Sequence, residues 1–163
     1  MASLPARLPL LAVWLVACFA AAAVGAIASV HALSFYAELS RPSWTPPPGV
    51  FGPVWTLLYT LMAVAAWRVA RTPPTPRRGT ALALFVAQLL ANALWSWLFF
   101  AWHLGAAAAV EVLLLLALIA ATTRQFARLD RPAAWLMAPY LAWVSFASLL
   151  TWTLWRMNPS LLP

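Results

Sequence analysis

The sequence predicts an all-α integral membrane protein, a bundle of five transmembrane helices. Three observations carry this. Of 163 residues, 65% are hydrophobic and only 8% are charged, whereas a soluble domain carries roughly a quarter of its residues as charges. The mean hydropathy is +0.86. The chain also divides into five long runs that are uncharged or nearly so, each close to the ~20 residues a helix needs to cross a bilayer. Membrane barrels show ten-residue segments of alternating polarity instead, and the sequence has none.

Each run justifies one element of a single domain covering 1–163. The first span is placed at 8–31 on Leu8–Val30. Arg7 before it and the small residues "AAAVGA" within it resemble a signal peptide, but the apolar length exceeds a signal core of about 7–15 residues. A loop at 34–50 follows, in which "SFYAELS" has the length of about two surface helical turns. The stretch "RPSWTPPPGVFGPVW" then packs five prolines into thirteen positions before entering the second span at 50–70. Prolines so dense exclude helix. "RTPPTPRRG" is a short stiff connector to a third span at 79–102. The fourth, 105–127, is interrupted by Glu111, and the fifth covers 132–156. No internal repeat is evident, which disfavours an inverted-repeat transporter.

Charge sets the orientation. All ten basic residues are arginine, against three acids. Alternating five spans puts Arg7, Arg68, Arg71, Arg77, Arg78, Arg124, Arg128 and Arg131 on one face and leaves Arg41 and Arg156 on the other. The positive-inside rule then places the N-terminus inside and the C-terminus outside. Arginines at span ends read as topology signals and not as a nucleic-acid footprint. Cys18 is the sole cysteine, so an intrachain disulfide or a cysteine-based metal site is excluded.

Candidate binding residues come from helical spacing. Gln88, Asn92, Trp95 and Phe99 fall on one face of the third span. Two amides in hydrocarbon must be satisfied, either as interhelical glue worth roughly 1 kcal/mol each or by contact with a ligand. Trp55, Tyr59 and Met62 share a face of the second span, and Tyr140, Trp143, Ala147 and Leu150 one of the fifth. Aromatics around small residues leave space for a flat apolar molecule, although periodicity alone favours a fully packed interior. Trp14, Trp67, Trp102, Trp135 and Trp155 fit the simpler role of interface anchors. Ala83, Ala87 and Ala91 form a small-residue row suited to close helix approach, a candidate dimer interface. Glu111 is expected near the outer interface, where the helix N-terminus favours a carboxylate. His31 and His103 are expected to be solvated loop histidines, and no metal-spaced cluster appears.

Three motifs in register, "RPSWTPPPGVFGPVWTLLYTLMAVAAW", "QLLANALWSWLFF" and "PYLAWVSFASLLTWTLWRMN", make the chain resemble the translocator protein family. Its members are the tryptophan-rich sensory proteins of bacteria and the peripheral benzodiazepine receptor of mitochondria. The resemblance implies a five-helix membrane protein, often dimeric, that binds porphyrins, haem, cholesterol and synthetic benzodiazepine-type ligands and requires no cofactor. It implies a pocket inside the bundle under a lid carrying Trp44 and Pro47, with Trp55 and Tyr59 in the same motif. Gln88, Asn92 and Trp95 follow from the second motif, and Trp143, Phe146, Ala147 and Leu150 from the third. Some bacterial relatives degrade protoporphyrin in light and oxygen through two tryptophans that match Trp55 and Trp143. That makes a photo-oxidative enzyme the second function implied and a sterol-binding regulatory scaffold the third. The sterol motif is incomplete here: "LLTWTLWR" has Trp152 where a tyrosine would stand, ahead of Arg156. A dense row of prolines suits a cover that must stay ordered, because proline lowers the entropy lost on ordering.

Overall fold

The computed structural model describes residues 7–163, with side chains from residue 9 onward. Helix α1 runs Arg7–Ala28 and ends where the Ser29 hydroxyl turns back to donate to the Gly25 carbonyl at 2.9 Å. A short α2 covers Ala32–Glu38. Residues 40–47 have no regular structure apart from a turn at Ser43 and Trp44, as expected where prolines remove backbone donors. One 3₁₀ turn at Pro48–Val50 leads into α3, Phe51–Ala70. Helix α4, Pro76–Ser96, begins at Thr75, whose hydroxyl accepts the Arg78 N–H at 3.2 Å, with Pro76 in the first turn. A polar cap followed by proline is a strong helix start.

Helix α4 widens into a π turn at Trp97–Ala101. There the Trp102 N–H donates to the Trp97 carbonyl and the Leu104 N–H to the Leu98 carbonyl, both at 2.8 Å. His103 closes this turn in the left-handed region, at φ 54°. Helix α5 follows at Gly105–Leu129 and α6 at Arg131–Met157. Five of these helices, all but α2, are long and apolar enough to cross a membrane. No strand occurs among the described residues. The all-α, five-span fold class expected from composition is the one observed.

The long helices close a ring in the order α1, α3, α6, α5, α4 and back to α1. Arginines gather at one end of it. Arg68 of α3 grips Asp130, just before α6, through Nε at 2.7 Å and Nη2 at 3.2 Å. Arg78 of α4 donates to the carbonyls of Thr72 and Ala70 at 2.7 and 3.3 Å. Arg71 lies 4.5 Å over the Trp67 ring. The Arg7 side chain, counted with this group by sequence, lies outside the described residues. At the opposite end Arg41 sits 5.5 Å over Tyr36, and Arg156 lies 5.9 Å over Trp155.

Two cores divide the ring lengthwise. Toward the arginine-rich end, Ala63, Ala65, Ala66, Val69, Ala81 and Ala133 let the helices approach closely, and Phe85, Phe126 and Met137 fill what remains. Phe85 and Phe126 stack at 5.8 Å, and Trp14 meets Phe85 edge-on. At the opposite end Phe35, Tyr36 and Leu39 pack on Phe99, Leu150, Leu154 and Leu162. The C-terminal tail folds over the start of α5: the Ala106 N–H donates to the Pro163 carbonyl at 3.2 Å. Glycine is required at 105, where a Cβ would stand 2.6 Å from Leu162.

Candidate ligand cavity within the bundle

The end of the bundle away from the arginines contains a cavity of about 330 Å³, within the range of roughly 300–1,000 Å³ typical of small-molecule sites. Its walls come from every long helix and from α2. Helix α1 contributes Gly25 and the turn after it Ser29, α3 contributes Phe51, Trp55 and Tyr59, and α5 contributes Val112 and Leu115. Helix α4 and its π turn supply Asn92, Trp95, Phe99 and Phe100, and α6 supplies Trp143, Ala147, Leu150 and Leu154. The exposed members of the lining, Ala26 and Leu33 on one side and Pro48 and Gly52 on the other, form its mouth between α1 and the start of α3.

The floor is a polar chain linking three helices. The Tyr59 hydroxyl donates to Asn92 Oδ1 at 2.7 Å, and Asn92 Nδ2 donates to the Tyr140 oxygen at 3.0 Å. Tyr140 in turn donates to Gln88 Oε1 at 2.8 Å, and Gln88 Nε2 points at the Met62 sulfur 3.9 Å away. Each polar atom of the two amides thereby has a partner, which burial in an apolar bundle demands. Both amides thus join helices, whether or not Asn92, which borders the cavity, also touches a ligand. Gln88 lies one turn deeper and does not line it.

The aromatic walls are continuous. Trp55 lies 5.6 Å from Tyr59 and 6.2 Å from Tyr140. Ring contacts of 5.8–5.9 Å run from Trp44 to Phe146, to Trp143, to Phe51 and to Tyr36, edge-on except for the tilted Phe146–Trp143 pair. Trp95 stacks on Phe99 at 5.4 Å and 12°, and its buried indole N–H has no hydrogen-bond partner among the described residues.

Of the residues singled out by sequence, Trp55, Tyr59, Asn92, Trp95, Phe99, Trp143, Ala147 and Leu150 meet at this cavity. Trp44, Pro47, Gln88 and Phe146 do not line it. Phe146 stands behind Trp143, and Trp44, 43% exposed, leans on Phe146 from outside. The inner surface of the cover is instead made by α2 and the residues that open α3. Tyr36 is 6% exposed there; burial pushes its phenol above its ordinary pKa, and the Arg41 charge offsets part of the rise. Helical spacing does not single out Gly25, Ser29, Tyr36 and Phe51, which lie at the end of the first span, in α2 and at the first residue of α3. The small-residue run "AAAVGA" contains only Gly25 of these four.

The remaining candidates fall elsewhere. Ala83 is exposed on the outer face of α4, while Ala87 and Ala91 are half-buried. His103 stacks on Phe35 at 4.0 Å and 11°, a packed ring and not a solvated one. Glu111, expected near the interface, is only 7% exposed, and neither carboxyl oxygen has a hydrogen-bond partner among the described residues. Among the described residues no group of His, Cys, Asp or Glu is arranged to hold a metal.

Fold and cavity together define a multi-pass helical membrane protein with an apolar chamber in one half of its bundle. The chain matches the TspO/MBR family over residues 12–156 and belongs to it. It is 40% identical to the tryptophan-rich protein TspO of Chlorobaculum tepidum, over 77% of this chain and 80% of that one. Protein CrtK of Rhodobacter capsulatus is 37% identical over 93% and 94% of the two chains. The human translocator protein is 38% identical over 77% and 76%.

Proposed function

We propose that this protein is a membrane receptor or carrier that binds porphyrin-type tetrapyrroles in the cavity between its helices. One observation carries the proposal: Trp55, Trp95 and Trp143, from three different helices, wall a chamber with an almost entirely apolar lining. Flat conjugated ligands gain most from such walls, because stacked or edge-on aromatic contacts add about 0.5–1.5 kcal/mol each beyond area burial. The mouth between α1 and α3 leaves room for a ligand's polar edge to stay outside. The name translocator protein, borne by the human relative, fits a carrier. Sterol binding at the end of α6 is no part of the proposal, since Trp152 lies edge-on to Trp155 at 5.0 Å and offers no hydroxyl.

The test is a titration of purified protein with protoporphyrin, followed by its Soret absorbance. Trp55→Phe or Trp143→Phe should weaken binding about two- to tenfold, by the same contact energy. Unchanged affinity in both would move the site elsewhere. A second reading, photo-oxidation of the bound porphyrin by dioxygen, is favoured because both indoles reach one cavity. It requires Soret bleaching in light with the wild type and much slower bleaching with the bound Phe variants.

The proposed orientation puts the α2 end outside, following the arginine distribution. Ser43→Cys should react with an impermeant thiol reagent on intact cells and Thr75→Cys should not. We also propose that a second copy packs on the α4 face of Ala83, Ala87 and Ala91, where small residues permit close approach.

A further inference from the structure

A second concavity lies outside the bundle at the arginine-rich end, between α5 and α6. It is a groove of about 330 Å³ lined by Thr123 and Ala127 of α5 and by Arg131, Ala134, Trp135 and Ala138 of α6. Positions 131, 134, 135 and 138 are one helical face, as are 123 and 127. Three of its six lining residues are alanines, of which Ala134 and Ala138 are half-buried and Ala127 is exposed. Trp135 is 77% exposed beside it, and an indole so placed belongs at the headgroup level of a bilayer. Arg131 stands at the helix end, where the apolar segment meets water.

Charge decides what the groove suits. The nearby acid, Asp130, is already held through both oxygens by Arg68. Arg131, Arg124 and Arg128 are exposed, and no ion pair engages them among the described residues. The groove therefore combines a largely alanine lining with one unneutralised guanidinium, that of Arg131, at its polar end, while Arg124 and Arg128 add positive charge on the same end of the bundle without lining it. A planar guanidinium fork matches a phosphate, and basic pockets between helices at such a membrane edge suit anionic headgroups. We propose that this groove is a site for one anionic phospholipid of the leaflet at the arginine-rich end. Its phosphate would sit at Arg131, with an acyl chain over Ala127, Ala134 and Ala138.

The test uses detergent-solubilised full-length protein incubated with phosphatidylglycerol or phosphatidylcholine of identical acyl chains. Retained lipid is counted by native mass spectrometry. The wild type should retain one phosphatidylglycerol in preference to phosphatidylcholine. Arg131→Gln should cut phosphatidylglycerol retention about fivefold, the effect of one cation near an anionic lipid, and leave phosphatidylcholine unchanged. Ala138→Phe fills the groove and should lower retention of both. Arg77→Gln, a cation of the same end on α4, should change neither. Thermal unfolding is measured for each variant first, and Ala127→Phe replaces Ala138→Phe if the latter fails to fold. Equal retention of the two lipids by the wild type overturns the proposal, as does phosphatidylglycerol retention that ignores Arg131→Gln. A dimer that Ala138→Phe splits into monomers would assign the groove to a second copy of the chain instead.

Discussion

The two halves of the bundle use the same residue types to opposite ends. Toward the arginines, alanines sit at helix contacts, and Phe85 and Phe126 close the space between them. In the other half, Gly25, Ser29, Gly52 and Ala147 are just as small, yet they face an open chamber walled by tryptophans. The difference lies in where the large rings go. Phe85 and Phe126 stack on each other between the neighbouring helices α4 and α5 and are fully buried, whereas Trp143 is held to the wall by Phe51 and Phe146, and Trp95 by Phe99. The Tyr59–Asn92–Tyr140–Gln88 chain is the boundary. Small residues make either a tight interface or a cavity, and the anchoring of neighbouring aromatics determines which.

The largest expected effect is in the packed half. Phe85→Ala removes a fully buried ring and should destabilise by about 3–5 kcal/mol, read as a fall in thermal unfolding temperature in detergent. Porphyrin affinity per folded molecule should stay unchanged. A loss of affinity without loss of stability would mean that the halves are not separate.

Matched enlargements sharpen the contrast. Ala66→Leu, at a fully buried helix contact, should cost about 1–3 kcal/mol by overpacking. Ala147→Leu adds the same atoms to the chamber wall. It should leave unfolding almost unaffected while reducing porphyrin binding, and equal stability losses at both positions would show that the chamber is not empty space.

At the boundary, Asn92→Ala strips partners from both Tyr59 and Tyr140. A buried group left unpaired costs about 1–3 kcal/mol, while pairs within membrane bundles have yielded nearer 0.6, so about 1 kcal/mol is expected. Unchanged affinity in the folded variant would leave Asn92 a helix-joining residue only. Gln88→Ala, one turn deeper, should lower stability alone.

The smallest effect is expected at the cover. Asn158 accepts from the Ser40 N–H at 2.7 Å and donates to the carbonyls of Ser40 and Leu154 at 2.9 and 2.8 Å. Its side chain fastens the start of the proline stretch to the end of α6. Asn158→Ala should cost about 0.5–1.5 kcal/mol and quicken porphyrin dissociation, measured by stopped-flow transfer to an acceptor protein.

Composition alone determined that the chain crosses a membrane with five helices, because hydrocarbon tolerates only long apolar segments whose backbone is internally paired. Period and motif placed Trp55, Asn92, Trp95, Trp143 and Ala147 on inward faces, since helical spacing is a property of the local chain. Three things belonged to tertiary structure alone. The ring order brought the first span's Gly25 and Ser29 to the cavity. Tyr140 became the shared partner of Gln88 and Asn92. The inner surface of the cover fell to α2 and Phe51, with Trp44 left outside against Phe146. Spacing along one helix reports which residues share a face, but the neighbour that face meets depends on how separate helices pack.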